Sequence, residues 1–387
     1  MLLALTLAVW ARLLLQASRL HTERVTGLER PADLSAAPTV AALVPTLNEE
    51  RDVEACLRAL LAVDYPRLQI LVSDDGSRDA TVARVEALAQ ELPPGTLRVV
   101  STPRDDPRRA GWTLGKSFAL WIGAAQVDAE WLWFVDADVR VHPDALWRSL
   151  EACRRDGVDG FTCGGRYRNP SALAEALEVW MYTLLFAVLP LRRIRDPNER
   201  EASWLTGQFF LMRRATYEAL GGHLAVKPYA QDDLALARVA KRAGHPVAYY
   251  PAAGIFDCVN YVSFSEAWHN WVRLCVLGAP WLELGLGTFL LDALALLTLA
   301  AAPPLLLLGA WRAAAEPLAL GLLAAQVGVA FLLPLSMHAS MRKRVWTALL
   351  YPLTAALAGL LVLQVCLRLK RTVAFHHQAL EQDRPHA

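Results

Sequence analysis

The sequence predicts an α/β protein in which a mainly parallel, doubly wound sheet is followed by apolar helices near the C-terminus. Three observations support this prediction. Short apolar runs alternate with helical segments from residue 40 to residue 153, which is typical of a parallel sheet covered by helices. Polar residues directly follow several of the predicted strands. Beyond residue 280 the chain becomes almost entirely apolar.

The first half of the chain gives the clearest elements. The predicted strands are 40–44, 68–72, 97–100 and 131–135. One helix is predicted between the first two strands, and the others are predicted at 80–92, 116–125 and 143–153. The first helix carries Val53, Leu57 and Leu60 at helical spacing and must stop before Pro66. Strand 131–135 is apolar at every position, as expected when both faces of a strand are buried.

After Gly160 the pattern becomes less regular. Segment 173–189 is apolar almost all round and is either a buried core helix or a helix lying on a membrane. A small-residue turn from Ser203 leads into a strand, and a helix at 217–220 stops at Gly221-Gly222. An amphipathic helix starts at Asp232, with acids in its first turn, and 247–250 is expected to be the last strand.

The composition limits the possible partners and cofactors. The 387 residues exceed one typical domain. Hydrophobic residues make up 55% of the chain and charged residues 20%, which suggests a membrane partner. A net charge of +1 gives no reason to expect nucleic acid. The six cysteines show no Cys-x-x-Cys spacing, so buried free thiols in a reducing compartment are expected rather than zinc or disulfides.

Several segments are candidates for the membrane. The start of the chain is predicted to be an uncleaved anchor, although it is short for a span and could instead lie in the interface. Segments 284–308, 318–335 and 346–367 are long enough, or nearly so, to cross a bilayer. Arg342-Lys343-Arg344 should then be cytoplasmic, but three spans would place Arg368, Lys370 and Arg371 outside, against the positive-inside tendency. The expected organisation is an anchor at 1–20, a catalytic domain at 38–255, an interfacial helix at 256–282, transmembrane helices at 283–370 and a polar tail at 371–387.

Polar residues lie where the predicted strands end. Asn48, Asp75, Asp136 and Asp138 all follow strands, and ligands of doubly wound sheets bind at the carboxyl ends of strands. Asp136 and Asp138 are one residue apart and can leave a strand on the same side. Two hard oxygen donors suit Mg²⁺ or Mn²⁺ that also holds phosphate oxygens. The alternative is an acidic turn that caps the next helix.

Five motifs in order resemble glycosyltransferase family 2, which has the GT-A fold. They are Val44-Pro45-Thr46-Leu47-Asn48-Glu49-Glu50, Asp74-Asp75-Gly76-Ser77, Asp136-Ala137-Asp138, Thr206-Gly207-Gln208 and Asp232-Asp233. The resemblance covers roughly residues 38–255. It implies an inverting enzyme that uses a nucleotide-diphospho sugar and a divalent cation, Mg²⁺ or Mn²⁺.

The resemblance also implies a role for each matching residue. Asp136 and Asp138 would hold the metal, and Asp232 and Asp233 would form the catalytic pair, with Asp233 as general base. The family often has Glu at position 232. Gly207 and Gln208 would lie on the acceptor side. The donor would be bound by Pro45, Asn48, Glu49, Asp74, Asp75, Lys116, Asp136 and Arg273. Plain turn chemistry at Asp75, a dipole-stabilising acid at Asp233 and a solvated helix-start lysine at Lys116 are the competing interpretations.

Segment 268–273, Trp-His-Asn-Trp-Val-Arg, corresponds to a Gln-x-x-Arg-Trp motif of related polymer synthases. Its Gln and final Trp are missing, which argues against a processive synthase, although Arg273 could still contact diphosphate. Trp268, Trp271 and Trp281 favour an interfacial helix. The motifs around Gly207 and Asp232 most resemble bacterial glycosyltransferases of hopanoid and carotenoid pathways.

The sequence therefore predicts a multi-pass enzyme of the cytoplasmic membrane whose catalytic domain faces the cytoplasm. The resemblance implies that it would move a hexose from a nucleotide-diphospho sugar, expected to be UDP-linked, to a membrane lipid such as a terpenoid or a glycolipid precursor. Three alternatives stay open: a polysaccharide synthase, a polyprenyl-phosphate sugar synthase and a non-catalytic nucleotide-binding membrane protein.

Overall fold

The computed structural model describes residues 28, 37–188, 191–250, 254–259, 261–278, 286–311, 317–341 and 343–382. The predicted anchor, Trp281 and Arg342 lie outside these residues. The described residues of Glu23–Tyr167 and Pro190–Val259 form one compact unit, the sheet unit, and those of Arg168–Leu189 and Asn260–Ala387 form a second, the helical unit. The predicted domain 38–255 therefore includes a segment that clusters with the helical unit.

The sheet unit alternates strands and helices in its first half, as the sequence predicts. Its strands are β1 (Val40–Thr46), β2 (Leu68–Asp74), β3 (Leu97–Ser101), β4 (Trp131–Val135), β5 (Val139–Val141), β6 (Gly160–Cys163), β7 (Arg166–Arg168), β8 (Phe209–Arg213), β9 (Val247–Tyr250) and β10 (Phe256–Val259). Its helices are α1 (Val53–Leu61), α2 (Thr81–Gln90), α3 (Gly115–Ala124), α4 (Ala145–Asp156), α6 (Leu191–Arg195), α7 (Arg214–Ala219) and α8 (Asp232–Arg242), while α5 (Ala172–Val188) belongs to the helical unit.

The main sheet has the strand order β3-β2-β1-β4-β8-β6-β9. β1 is parallel to both β2 and β4, β2 is parallel to β3, and β6 is parallel to β9. The prediction of a mainly parallel sheet is thus confirmed. β8 alone runs antiparallel to both of its neighbours, β4 and β6. Because of this reversal, the residues that precede β8 lie beside the residues that follow β4.

The centre of the sheet is an aromatic core. Trp133 and Phe209 are both fully buried, with ring centroids 5.3 Å apart, and Phe134 stacks on Phe210 at 4.3 Å. All five residues of β4 are buried, as its apolar sequence predicts. Offset and edge-to-face ring pairs stabilise such a core beyond the burial of their area. The rigid strand holds the carboxylates that follow it in fixed positions.

A second sheet of three short strands has the order β5-β10-β7. The sequence prediction that residues 247–250 form the last strand is wrong, since β10 follows. These strands have three or four residues each, which is too short to show a strand period against the surrounding turns. Its first strand, β5, follows β4 after residues 136–138, so this sheet supports the loop that carries Asp136 and Asp138.

The helical unit contains α5, α9 (Phe264–Gly278), α10 (Leu286–Trp311), α11 (Pro317–Ser340) and α12 (Tyr351–Gln382). Within the described residues, the segment Val345–Leu369 is the one stretch long and apolar enough to cross a membrane by length and composition. Shorter apolar helical stretches lie at Phe289–Ala301 and Val327–Ala339. The crossing expected at 284–308 and at 318–335 remains a prediction.

Two ion pairs inside the helical unit join α5 to the segment before α12. The Lys343 Nζ atom lies 2.5 Å from Glu178 Oε2, and these side chains are 1% and 0% exposed. Asn169 Nδ2 donates to the same Glu178 oxygen at 2.7 Å. Arg344 Nε lies 3.0 Å from Glu175 Oε1. Two of the three basic residues expected to mark the cytoplasmic side therefore neutralise acids within the unit.

Replacing Lys343 by Met should destabilise the protein strongly. The substitution removes the ammonium group and leaves the Glu178 carboxylate buried, which costs about 3–5 kcal/mol in comparable cases. Thermal unfolding in detergent should show a clearly lower Tm. The double variant Lys343→Met with Glu178→Met should recover most of the loss, because neither position of the pair then carries a charge. Equal Tm values for wild type and Lys343→Met would contradict this role of the pair.

Candidate active site

The loops after β1 and β2 are joined by polar contacts at the carboxyl edge of the sheet. Asp74 is buried, and its carboxylate accepts hydrogen bonds from Thr46 Oγ1 at 3.1 Å and from the Gly76 and Ser77 amides at 3.1 and 3.0 Å. Asn48 has a φ of 57° and accepts a hydrogen bond from the Arg78 amide at 2.9 Å. Asn tolerates this left-handed backbone better than most residues. Asp74 and Asn48 thus shape the loop that presents Asp75.

Asp75 faces a cation that the sequence analysis did not identify. Its Oδ1 atom lies 2.5 Å from an Arg109 guanidinium nitrogen, and Arg109 also lies over the Phe118 ring at 4.6 Å from the centroid. On the other side Gly115, the first residue of α3, comes so close that a Cβ there would clash with the Asp75 carboxylate. Asp75 is therefore held between an arginine and the start of a helix.

Replacing Gly115 by Ala should disturb this pocket selectively. Overpacking of this kind costs about 1–3 kcal/mol, and displacement of Asp75 should raise the KM for a nucleotide donor roughly tenfold. Steady-state kinetics with varied donor would measure the change. Gly328→Ala is the control, since a Cβ at Gly328 meets no atom within 4 Å. A KM equal to that of the control would show that Asp75 does not contact the donor.

Asp136 and Asp138 follow β4 directly, and both are partly buried. Asp136 Oδ1 lies 2.5 Å from Lys116 Nζ. The Cys258 thiol hydrogen-bonds the Asp138 carboxylate, and Gln208 Nε2 is 3.6 Å from the Cys258 sulfur. The Asp136 amide donates to the Gln208 carbonyl at 3.0 Å, a contact that requires the reversed strand β8. The predicted Thr206-Gly207-Gln208 and Asp136-Ala137-Asp138 motifs are therefore neighbours.

The electrostatics of this edge favour a bound cation. Burial, and then repulsion from Asp136, raise the pKa of Asp138 to about 6. Burial and the nearby Asp138 raise the pKa of Glu49 to about 7. Asp138 Oδ1 is buried and has no hydrogen-bond donor among the described residues. Two hard oxygen ligands with an unused lone pair fit Mg²⁺ or Mn²⁺.

The protein would supply only part of the metal's coordination. Among the described residues, no set of three or more His, Cys, Asp and Glu side chains has the geometry of a metal site. Mg²⁺ characteristically takes one or two carboxylates and completes its shell with phosphate oxygens and water. The pair Asp136 and Asp138 meets that requirement.

Asp233 lies at the start of α8 and is oriented by the backbone. Its Oδ2 atom accepts a hydrogen bond from the Gly207 amide at 2.9 Å, and its Oδ1 atom accepts one from the Leu234 amide at 2.8 Å. Burial, and then the neighbouring Asp232, raise the pKa of Asp233 to about 6. A carboxylate with this pKa is ionised at neutral pH and is still basic enough to accept a proton.

Lys116 connects the two acidic groups. Besides its contact with Asp136, its Nζ atom donates to the Gly207 carbonyl at 3.1 Å. Burial lowers the pKa of Lys116, but the nearby carboxylates of Asp136, Asp232 and Asp233 outweigh this and raise it above the ordinary value. A permanent positive charge therefore lies between the predicted metal ligands and the predicted base.

The structure brings most of the predicted site residues to one edge of the sheet. Pro45 lies in β1 opposite Ser73 of β2. Arg273 is exposed on α9, where its guanidinium contacts Asn270 at 3.2 Å, and it belongs to the helical unit, so its role at the diphosphate remains a prediction. Sequence reasoning missed a group of polar residues at this edge: Arg109, Ser117, His223 and Cys258. No motif or periodic pattern in the sequence marks these four residues.

The fold is that of GT-A glycosyltransferases. The structure matches a mannosyltransferase from Pyrobaculum calidifontis, solved with GDP-mannose and Mn²⁺, with a TM-score of 0.51 and 21% identity, covering 93% of this chain and 99% of that one. The family model described as "Glycosyltransferase like family 2" matches residues 37–275. The chain belongs to this family, and the resemblance drawn from its motifs is confirmed.

Curated relatives agree with this assignment. A probable glycosyltransferase, YdaM of Bacillus subtilis, is 26% identical over 238 residues, which cover 61% of this chain and 53% of the relative. The 4,4'-diaponeurosporenoate glycosyltransferase of Staphylococcus haemolyticus is 23% identical over 243 residues, which cover 62% of each chain. The aligned region thus spans between about half and two thirds of the length of these relatives.

Proposed function

We propose that this protein is a membrane-associated, inverting glycosyltransferase that moves a hexose from a nucleotide-diphospho sugar, UDP-linked, to a hydroxyl or carboxyl group of a membrane lipid. The observation that carries the proposal is the convergence of separate acids at one sheet edge. Asp136 contacts Lys116, Lys116 contacts the Gly207 carbonyl, and the Gly207 amide contacts Asp233. Family membership supplies the reaction class.

Each group at this edge has a distinct chemical task. Asp75, held by Arg109, would bind the nucleoside part of the donor. Asp136 and Asp138 would hold a divalent cation, which when bound neutralises negative charge on the departing diphosphate. Lys116 would bind the same diphosphate as a fixed cation already placed beside Asp136.

Asp233 would act as the general base. The acceptor oxygen attacks the anomeric carbon on the face opposite the diphosphate, and the Asp233 carboxylate takes the proton from that oxygen. The carbon–oxygen bond to the diphosphate breaks as the new glycosidic bond forms, so the configuration at the anomeric carbon is inverted. Both Asp233 oxygens already accept one backbone hydrogen bond, which fixes the carboxylate for this transfer.

A membrane lipid acceptor is supported by two independent features. The segment Val345–Leu369 has the length and composition of a membrane span, and one curated relative is named for a carotenoid acid that it glycosylates. A multi-pass arrangement in the cytoplasmic membrane, with the sheet unit facing the cytoplasm, is part of the proposal. The incomplete motif at Arg273 supports single transfer rather than polymer extension.

The test is a transfer assay with membranes from expressing cells. Labelled UDP-glucose, UDP-N-acetylglucosamine and GDP-mannose are supplied separately, and lipids are extracted and separated. The expected result is a labelled lipid that carries one sugar and forms only with a divalent cation present. A ladder of long products would indicate a polysaccharide synthase, and a product labile to mild acid would indicate a polyprenyl-phosphate sugar. Donor binding without any transfer would overturn the proposal.

A further inference from the structure

Asp232 contacts a different set of groups from Asp233, although the two are adjacent. Asp232 is 9% exposed, and its Oδ2 atom accepts a hydrogen bond from Ser117 Oγ at 2.5 Å. Ser117 is also buried and lies in the first turn of α3, next to Lys116. The contact therefore joins the start of α3, which presents Lys116, to the start of α8, which presents Asp233.

A buried histidine and tyrosine lie behind this contact. His223 is 2% exposed, and its Nε2 atom is 4.0 Å from Asp232 Oδ2. Its Nδ1 atom is 2.8 Å from the Tyr217 hydroxyl, which also accepts a hydrogen bond from the His223 amide at 3.2 Å. Since the hydroxyl oxygen accepts from that amide, its own proton is available for Nδ1. With the hydroxyl donating to Nδ1, the neutral imidazole would carry its proton on Nε2, the ring nitrogen that faces Asp232.

The backbone beside His223 allows this close contact between His223 and Tyr217. Gly222 has a φ of 56°, and a Cβ there would clash with the Tyr217 ring. The His223 ring also packs edge-on against Phe134 of the central strand, with centroids 5.1 Å apart. Burial lowers the pKa of His223 to about 4, so the imidazole stays neutral through the range in which Asp233 titrates. Besides ending helix α7, the Gly221-Gly222 pair therefore leaves the space that Tyr217 needs to contact His223.

We propose that Asp232, held by Ser117 and backed by the His223–Tyr217 pair, is a positioning residue that aligns the Asp233 base with the Lys116 ammonium. This inference rests on the proposed function and refines it, because it separates the two acids of the catalytic pair. Asp233 contacts the reacting hydroxyl. Asp232 acts through Ser117 and through its negative charge.

The charge and the geometry of Asp232 can be tested separately. The groups that face Asp233 are Asp232 and the Leu234 amide on its own helix, Lys116 from α3, and the Gly207 amide from the loop before β8. Asp232→Asn removes the charge and keeps an oxygen that can accept from Ser117. The acid limb of the kcat/KM profile should therefore move about one pH unit lower. Ser117→Ala removes the hydrogen bond to Asp232 and keeps the negative charge of Asp232. We therefore expect kcat to fall roughly ten- to a hundredfold, while the acid limb of the kcat/KM profile stays at the wild-type pH.

Tyr217→Phe tests the histidine independently. It keeps the ring and removes the hydroxyl beside Nδ1, so the imidazole loses the hydrogen bond that orients it and kcat should fall roughly tenfold. Matched controls are Ser149→Ala, which removes a buried hydroxyl bonded to Ala145 within its own helix, and Tyr65→Phe, which removes a hydroxyl bonded to Pro38. Both controls should keep kcat within about twofold of wild type.

The outcomes distinguish this inference from the proposed function. Binding of UDP in the presence of Mn²⁺ and the Tm are measured for every variant, and both should stay close to wild type. If Ser117→Ala does not fold, the pH profile of Asp232→Asn decides. An unmoved acid limb in Asp232→Asn, or kcat values for Ser117→Ala and Tyr217→Phe equal to their controls, would overturn the positioning role. Absence of transfer by the wild-type protein would instead overturn the proposed function.

Discussion

Replacing Asp233 by Asn is expected to lower kcat by roughly 10²–10⁴-fold, the range that a positioned general base contributes. The amide keeps the size of the side chain, but its single oxygen can accept only one of the two hydrogen bonds that Gly207 and Leu234 donate to Asp233, and it cannot take a proton. Binding of UDP with Mn²⁺ should be almost unchanged. Transfer is measured with labelled donor, and nucleotide binding by calorimetry.

The wild-type pH profile should agree with this role. Burial and the Asp232 charge raise the pKa of Asp233 to about 6, and the base works only when deprotonated. The value of kcat/KM should therefore fall as the pH drops below about 6. Asp144→Asn is the matched control, because Asp144 is an acid at the start of another helix, α4. If Asp233→Asn transfers sugar as fast as this control, Asp233 is not the base, and its carboxylate only stabilises the N-terminus of α8 through the helix dipole.

Replacing Asp138 by Ala should abolish metal-dependent donor binding. Removing one of the two carboxylates forfeits several kcal/mol of charge stabilisation at the diphosphate. A loss of 4 kcal/mol corresponds to a kcat/KM lower by about 10³. Calorimetric titration of UDP with and without Mn²⁺ should show that the variant has lost the difference between the two conditions.

The control for this prediction is Asp128→Ala, since Asp128 is an exposed acid just before β4. It should bind UDP with the same Mn²⁺ dependence as wild type. Full retention of that dependence in Asp138→Ala would mean that the cation is held elsewhere, and the acids after β4 would then be turn residues.

Much of this site could be predicted because strand ends converge. The apolar run of β4 and the acids after it locate one carboxyl end, and the parallel arrangement brings the loops of β1 and β2 to the same edge. The direction of β8 could not be predicted, because its four apolar residues, 209–212, look alike when read from either end. Its reversal nevertheless places Gly207 against Asp233 and Gln208 against Asp136.

The supporting residues show a different limit of sequence reasoning. Arg109 lies 2.5 Å from Asp75 and belongs to a short 3-10 helix, Pro107–Arg109. His223 lies 4.0 Å from Asp232 and belongs to a second 3-10 helix, Gly222–Val226. Both contacts depend on how separate loops pack, and a single sequence carries no record of that packing. Lys343 and Arg344 were expected to report membrane orientation, but both are bonded to acids of α5.

The pairing of α5 with the segment before α12 has a consequence for biogenesis. Glu178 and Lys343 are separated by 165 positions, and Glu175 and Arg344 by 169. The ribosome therefore releases two acids long before it makes the bases that neutralise them. Until then α5 cannot enter an apolar environment without a large electrostatic penalty. These two ion pairs can form only after Lys343 and Arg344 have been made, and a nascent chain truncated before Lys343 should be a target for proteolysis.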